Sequence, residues 1–147
     1  MAVWFTLLLL ALIFLSVSAE DDADYIPSLL LESARNDDID GIRRALDDGT
    51  SIDVTNVNGW SAASFAVTAG RINALHALID AGIDLNQANN EGRTPLMFAA
   101  VQGDKEMVES LLRANADPSI TTEEGVSAYE VAVESGRKIV ALQIAEA

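Results

Sequence analysis

Two regimes of apolar residues divide the chain. Residues 1–19 run without a single charged side chain and then give way abruptly to Glu20, Asp21, Asp22 and Asp24. From Ile26 onward the apolar positions come in stripes instead. Ala74, Leu75, Leu78 and Ile79 recur at i, i+1, i+4 and i+5 with polar residues opposite, the pattern of a helix buried along one side. The stripe returns 33 positions later as Met107, Val108, Leu111 and Leu112, and again 33 later as Val140, Ala141, Ile144 and Ala145. Ile42, Ala45 and Leu46 stand the same 33 positions before Leu75, Leu78 and Ile79, which makes four copies.

The polar punctuation keeps the same interval. Gly59, Gly92 and Gly125 open the copies, and Gly70, Gly103 and Gly136 divide them. A hydroxyl stands at Ser28, Ser61, Thr94 and Ser127, where it can accept from a free N–H and start a helix; Pro95 follows Thr94 at the first helical position. This first helix is short and ends near Asn36, Ala69, Gln102 and Ser135, while Gly49, Gly82 and Asn115 close the second. One such helix pair cannot bury its own stripe, but four stacked pairs bury it continuously.

These residues resemble the ankyrin repeat. The third copy carries Gly92, Thr94, Pro95, Leu96, Ala99, Ala100, Gly103, Leu111, Leu112, Ala116 and Asp117, and the second adds Gly82, Ile83, Asp84, Leu85 and Asn86. The resemblance implies an all-α ankyrin-repeat solenoid of four helix-turn-helix repeats with β-turn or hairpin fingers, at 26–58, 59–91, 92–124 and 125–147. Leu31, Ser64, Met97 and Glu130 depart from the pattern by standing where the family has a histidine that ties neighbouring repeats. Asp37, Asp38, Asp40, Arg43 and Arg44 suit a polar outer cap on the first copy. In the fourth, Ile139 and Leu142 align with Glu106 and Glu109, and a slight rotation of the helix is expected to tuck them in, the alternative being an exposed patch for a partner.

Composition narrows the chemistry. Nine Lys plus Arg against 23 Asp plus Glu give a formal net charge of -14, which opposes nucleic-acid binding. No cysteine is present, excluding disulfides and thiolate sites, and the single His76 excludes a multi-histidine metal centre. His76 aligns with the outer-face Glu109 and reads as a surface histidine. Asn36, Asp38, Asp40 and Asp47 loosely imitate a calcium loop, but the register makes Asp40 to Asp47 helical, so these carboxylates spread around a helix. No phosphate loop, nucleophile elbow or paired-histidine motif occurs, and no cofactor and no catalytic residue are expected.

Residues 1–19 read as an export signal, with Val17 and Ala19 as the small or short residues before a cut after Ala19, and residues 20–25 as an acidic leader. The alternative is an uncleaved anchor, because the uncharged stretch approaches the ~20 residues that span a bilayer. Either reading places the repeats outside the cytoplasm, in a periplasm or secreted. The expected function is non-enzymatic: a monomeric module that binds another, basic protein, as inhibitor, immunity or accessory protein of an enzyme, or as a membrane-tethered scaffold.

The resemblance also implies where binding occurs, on finger tips and the inner face of the first helices. Those positions are Val57, Asn58 and Trp60 in the second copy, with Asn90, Glu91, Arg93, Val101 and Gln102 in the third. The fourth supplies Glu123, Glu124, Val126, Glu134 and Ser135. Trp60 and Arg93 share one finger position 33 residues apart, so stacking is expected to set them side by side as an anchor.

Overall fold

The structure, a computed structural model, describes residues 28–147. The expected signal or anchor at 1–19 and the leader at 20–25 lie outside the described residues. Eight helices follow one another: α1 Leu29–Asn36, α2 Ile39–Asp47, α3 Ala62–Thr68, α4 Ile72–Asp80, α5 Pro95–Gln102, α6 Lys105–Arg113, α7 Ala128–Glu134 and α8 Lys138–Ala145. No strand is formed among the described residues. Within the fingers, strand-like bridging is confined among the described residues to the isolated antiparallel bridges Thr55 to Ser61 and Thr121 to Ser127. The fold is therefore the all-α solenoid that the stripes predict.

Each expected hydroxyl caps its helix. Ser28 accepts from the Leu30 N–H, Ser61 from Ser64, Thr94 from Met97 and Ser127 from Glu130. Glu130 returns the bond to the Ser127 N–H and completes a capping box. Asn115 closes α6 with a φ of 64°, as its place in the series predicts, and Asp37 adopts the same left-handed conformation at 61° where the later copies have glycine.

The first helices α1, α3, α5 and α7 stack in one layer, each pressed on the next. The second helices form the other layer, where α2 packs on α4 and α6 on α8 while α4 and α6 stand farther apart. Between the layers lies one continuous core, running from Leu30, Leu31 and Ile42 through Leu75, Leu78 and Leu96 to Leu111, Val140 and Ile144. At the family's histidine position Leu31, Ser64 and Met97 are buried, so this place is filled by packing and by the 3.2 Å contact between the Ser64 and Ser61 hydroxyls.

One expectation fails in α8. The helix is not rotated: Val140, Ala141 and Ile144 are buried in the places of Met107, Val108 and Leu111, leaving Ile139 and Leu142 59% and 63% exposed. Turning them inward would have to expel three residues that already fill the stripe.

Candidate functional site

The fingers are shaped by one side chain each. Asn56 accepts the N–H groups of Asn58 and Trp60 on its Oδ1 at 3.0 and 2.9 Å, and Asn89 does the same for Glu91 and Arg93 at 3.0 and 2.9 Å. Thr122 substitutes a hydroxyl for the amide, accepting from the Val126 N–H at 3.4 Å. These three residues escape the sequence reading, although they too stand 33 apart and Asn is a natural turn former. Neighbouring fingers are laced together. Asp53 accepts the Asp84 N–H at 3.1 Å, Asn86 accepts that of Asp117 at 2.8 Å, and Asn90 donates to the carbonyls of Asn58 and Val57, both at 3.0 Å.

Between fingers and first helices the array is concave. A cavity of about 600 Å³ brings together Glu91 and Arg93 from one finger, Glu124 and Val126 from the next, and Val101 and Glu134 from the helices beneath, with Ser135 at its edge. Half of the residues expected on the binding surface therefore converge here. Arg93 pairs with Glu91 at 3.5 Å. The Thr122 hydroxyl, the Glu124 amide and the charge of Arg93 hold the Glu124 carboxyl below the usual carboxylate range.

Trp60 lies elsewhere. It lines a second cavity of about 510 Å³ with Arg35, Phe65 and Arg71, and its ring meets Phe65 at 5.5 Å and Phe98 of the next repeat at 4.7 Å. The expected pair with Arg93 is thus replaced. The indole has apolar rings to cover, and the guanidinium has a carboxylate in its own finger. Arginines do reach between repeats, but from the second helices: Arg71 donates to the Arg35 carbonyl and Arg137 to that of Val101, each at 3.1 Å.

The family model for ankyrin repeats (3 copies) matches residues 29–122, about two thirds of the chain. The chain belongs to the ankyrin repeat family. No curated protein matches it in sequence. Ankyrin repeats are protein–protein interaction modules, and the family is typically non-enzymatic. The fourth helix pair, beyond the matched residues, continues the ankyrin array in the same 33-residue register.

In this ankyrin array the remaining candidates divide between open surface and structural ties. Val57 is 72% exposed at its finger tip, and Asn58 and Glu123 are exposed on theirs. Gln102 is exposed as well, yet its amide donates to the Thr68 carbonyl at 2.8 Å and joins α5 to α3.

His76 has a partner that its sequence does not announce: its Nε2 lies 3.0 Å from the Ser110 hydroxyl. The pair bridges α4 and α6 in a groove of about 430 Å³ lined also by Glu106, Glu109 and Arg113. Ser110 stands inside a helix, where the surrounding backbone N–H groups serve the helix and leave no donors for an oxyanion. The contact reads as a tie between two helices that otherwise stand apart. Among the described residues no group of three His, Asp or Glu could hold a metal ion, and no helix is long and apolar enough to cross a membrane.

Proposed function

We propose that this ankyrin array acts outside the cytoplasm, in a periplasm or as a secreted protein, and binds a basic partner protein through its fingers and concave face. The observation that carries the reading is where the charges stand. Of the nine Lys and Arg, eight lie on helices or their caps, and Arg93 alone lies on a finger. The finger loops carry Asp53, Asp84, Glu91, Asp117, Glu123 and Glu124 instead. Fingers with this excess of acid attract a partner of the opposite sign, speed its association and lose that advantage in salt. An acidic array that covers a basic enzyme as inhibitor or immunity protein fits this distribution, as does an accessory that positions one. Export rests on the uncharged residues 1–19.

Affinity purification from the native envelope and medium tests the reading, using the wild type beside a variant with Glu91, Glu124 and Glu134 changed to Gln. A basic protein retained by the wild type, released by salt and lost with the variant is expected. An acidic partner, or one indifferent to both changes, overturns the charge argument. Sequencing the amino terminus of the same material decides the rest: a start at Glu20 is expected, and retained residues 1–19 would make the protein a tethered scaffold.

A further inference from the structure

Most arginines of this acidic chain are matched to an acid. Arg43, Arg44, Arg93 and Arg113 each stand within ion-pair distance of a carboxylate, whereas Arg35, Arg71 and Arg137 pair with none among the described residues. Two of these three meet. Arg35, on the last turn of α1, and Arg71, at the cap of α4, line the cavity of about 510 Å³ beside the half-buried Trp60, and no carboxylate lines it with them. Arg71 is fixed in place by the bond from its Nε to the Arg35 carbonyl, which occupies one of the five N–H donors of its guanidinium.

This cavity has a counterpart further along the array. Trp60, Phe65 and Thr68 stand 66 positions before Val126, Val131 and Glu134, which line the cavity of about 600 Å³. The two cavities are therefore one place in the groove between fingers and first helices, met twice, two helix pairs apart. Their chemistry is opposite. At the later place Glu91, Glu124 and Glu134 gather, and Arg93 is already paired with Glu91. At the earlier place two guanidiniums without an acid stand beside an indole, and Arg35 holds the position that Val101 takes in the later one. The groove thus has a basic end and an acidic end, a polarity hidden in the net charge of -14.

We propose that the Arg35–Arg71 end of the groove receives the carboxylate of an Asp or Glu side chain carried by the partner protein. The site deepens the concave-face reading given above, on which it rests for the acidic end alone. Guanidiniums give a carboxylate charge-assisted hydrogen bonds in a geometry that suits its two oxygens. The excess acid elsewhere on the chain repels a carboxylate, so this one position fixes which way a bound segment lies in the groove. The first helices press on one another in sequence. Packed helices lie about 8–10 Å apart, so two steps of the array are spanned by about five or six residues of extended chain. A segment whose base enters the acidic end therefore carries its acid at that spacing.

Trp60 lines the basic end, so its fluorescence reports on occupancy, and a Trp60→Phe protein supplies the baseline for Trp4, the other tryptophan. The purified protein is titrated at low salt with the end-blocked peptide Glu-Ala-Ser-Gly-Ser-Ala-Lys. Binding is expected, weakened at least about tenfold by Arg35→Gln in the protein or by Gln in place of the peptide's Glu, the loss of one charge-assisted hydrogen bond. Circular dichroism verifies that the protein variant is folded, and the peptide exchange gives the answer even if it is not. Binding that needs the peptide's Lys but is indifferent to its Glu and to Arg35 overturns the carboxylate site and leaves the basic-partner reading standing. Binding that needs the Glu and Arg35 but not the Lys upholds the site and overturns the charge argument for a basic partner. An emission unchanged by millimolar peptide overturns the proposal. So does binding that appears only after Glu20, Asp21, Asp22 and Asp24 are changed to their amides, which would give the pocket to the chain's own acids.

Discussion

Asp37, in the turn between α1 and α2, accepts the backbone N–H of Ala74 at 2.8 Å, so a residue of the first helix pair caps a helix of the second. The arrangement answers a local defect. Arg71 occupies the cap position of α4 and makes no side-chain cap bond, so the free N–H groups there are served from the neighbouring repeat. Asp37 also holds Asn73 at 3.1 Å and adopts a left-handed φ of 61°.

Asp37→Ala should therefore cost about 1–2 kcal/mol from the lost cap, with a further strain because alanine tolerates that φ poorly. Asp37→Gly relieves the strain but still loses the cap, and Asp37→Asn keeps both an acceptor and a tolerable backbone. Urea denaturation should rank stability as Asp, Asn, Gly, Ala in falling order. An alanine variant as stable as the wild type would show that the cross-repeat cap contributes nothing.

Gly103 and Arg137 form a second junction of this kind. Gly103 has a φ of 74°, and a Cβ there would stand 2.6 Å from the Arg137 Cδ, whose side chain crosses to donate to Val101. Gly70 has a similar φ of 69° with nothing within 4 Å of its Cβ position. Both alanine substitutions pay the backbone cost of about 1 kcal/mol, but only Gly103→Ala also displaces a side chain. Thermal melts should find Gly103→Ala the worse of the two and should show the excess vanishing in an Arg137→Ala background. Equal losses in all backgrounds would mean that Arg137 moves aside freely.

The contrast between these junctions and the helices explains what the chain discloses to a reader. Helix pairs, caps and the left-handed Asn115 are written in the interval of 33, because each is decided by residues a few positions apart. Asp37 to Ala74 and Arg137 to Val101 are not, because their partners lie 37 and 36 positions away and meet only through the offset at which repeats stack. The convergence of Glu91, Val101, Glu124 and Glu134 on one cavity follows from the same register and was legible. The direction of the Trp60 ring was not, since a finger residue can turn toward its neighbour's finger or toward the helices beneath it. In α8 the register favoured exposure of Ile139 and Leu142, and hydrophobicity pulled the reading the wrong way.

Acid should loosen α7 first at its start. The Ser127 hydroxyl and N–H hold the Glu130 carboxyl below its usual range, so the folded protein releases that proton at lower pH than the unfolded chain does. Its stabilising effect is then complete above the unfolded value of about 4 and disappears as the pH falls through the lowered folded value. Asp117, held down by the Ser119 hydroxyl and N–H, acts in the same direction. Urea midpoints measured against pH should fall in acid, and Glu130→Ala should flatten that fall while lowering the neutral-pH plateau. A variant with an undiminished acid dependence would show that the capping box does not titrate with folding.

Trp60 decides how the concave face can be probed. A finger-tip residue with little core beneath it would be removed at no cost to folding, and its loss would report on binding alone. The structure places its ring 4.7 Å from Phe98 and 5.5 Å from Phe65, half-buried against the core and spanning two repeats. Trp60→Ala should then lower stability by about 2 kcal/mol, less than a fully buried tryptophan but roughly thirtyfold in the folding equilibrium. Trp60→Phe should recover much of it by keeping an aromatic face on Phe98. Val57→Ala, at a tip 72% exposed, should leave the melt where it is and becomes the cleaner probe of partner contact. Melts of the three variants read the difference directly. An unaltered melt for Trp60→Ala, with the partner lost, would return the indole to the contact surface.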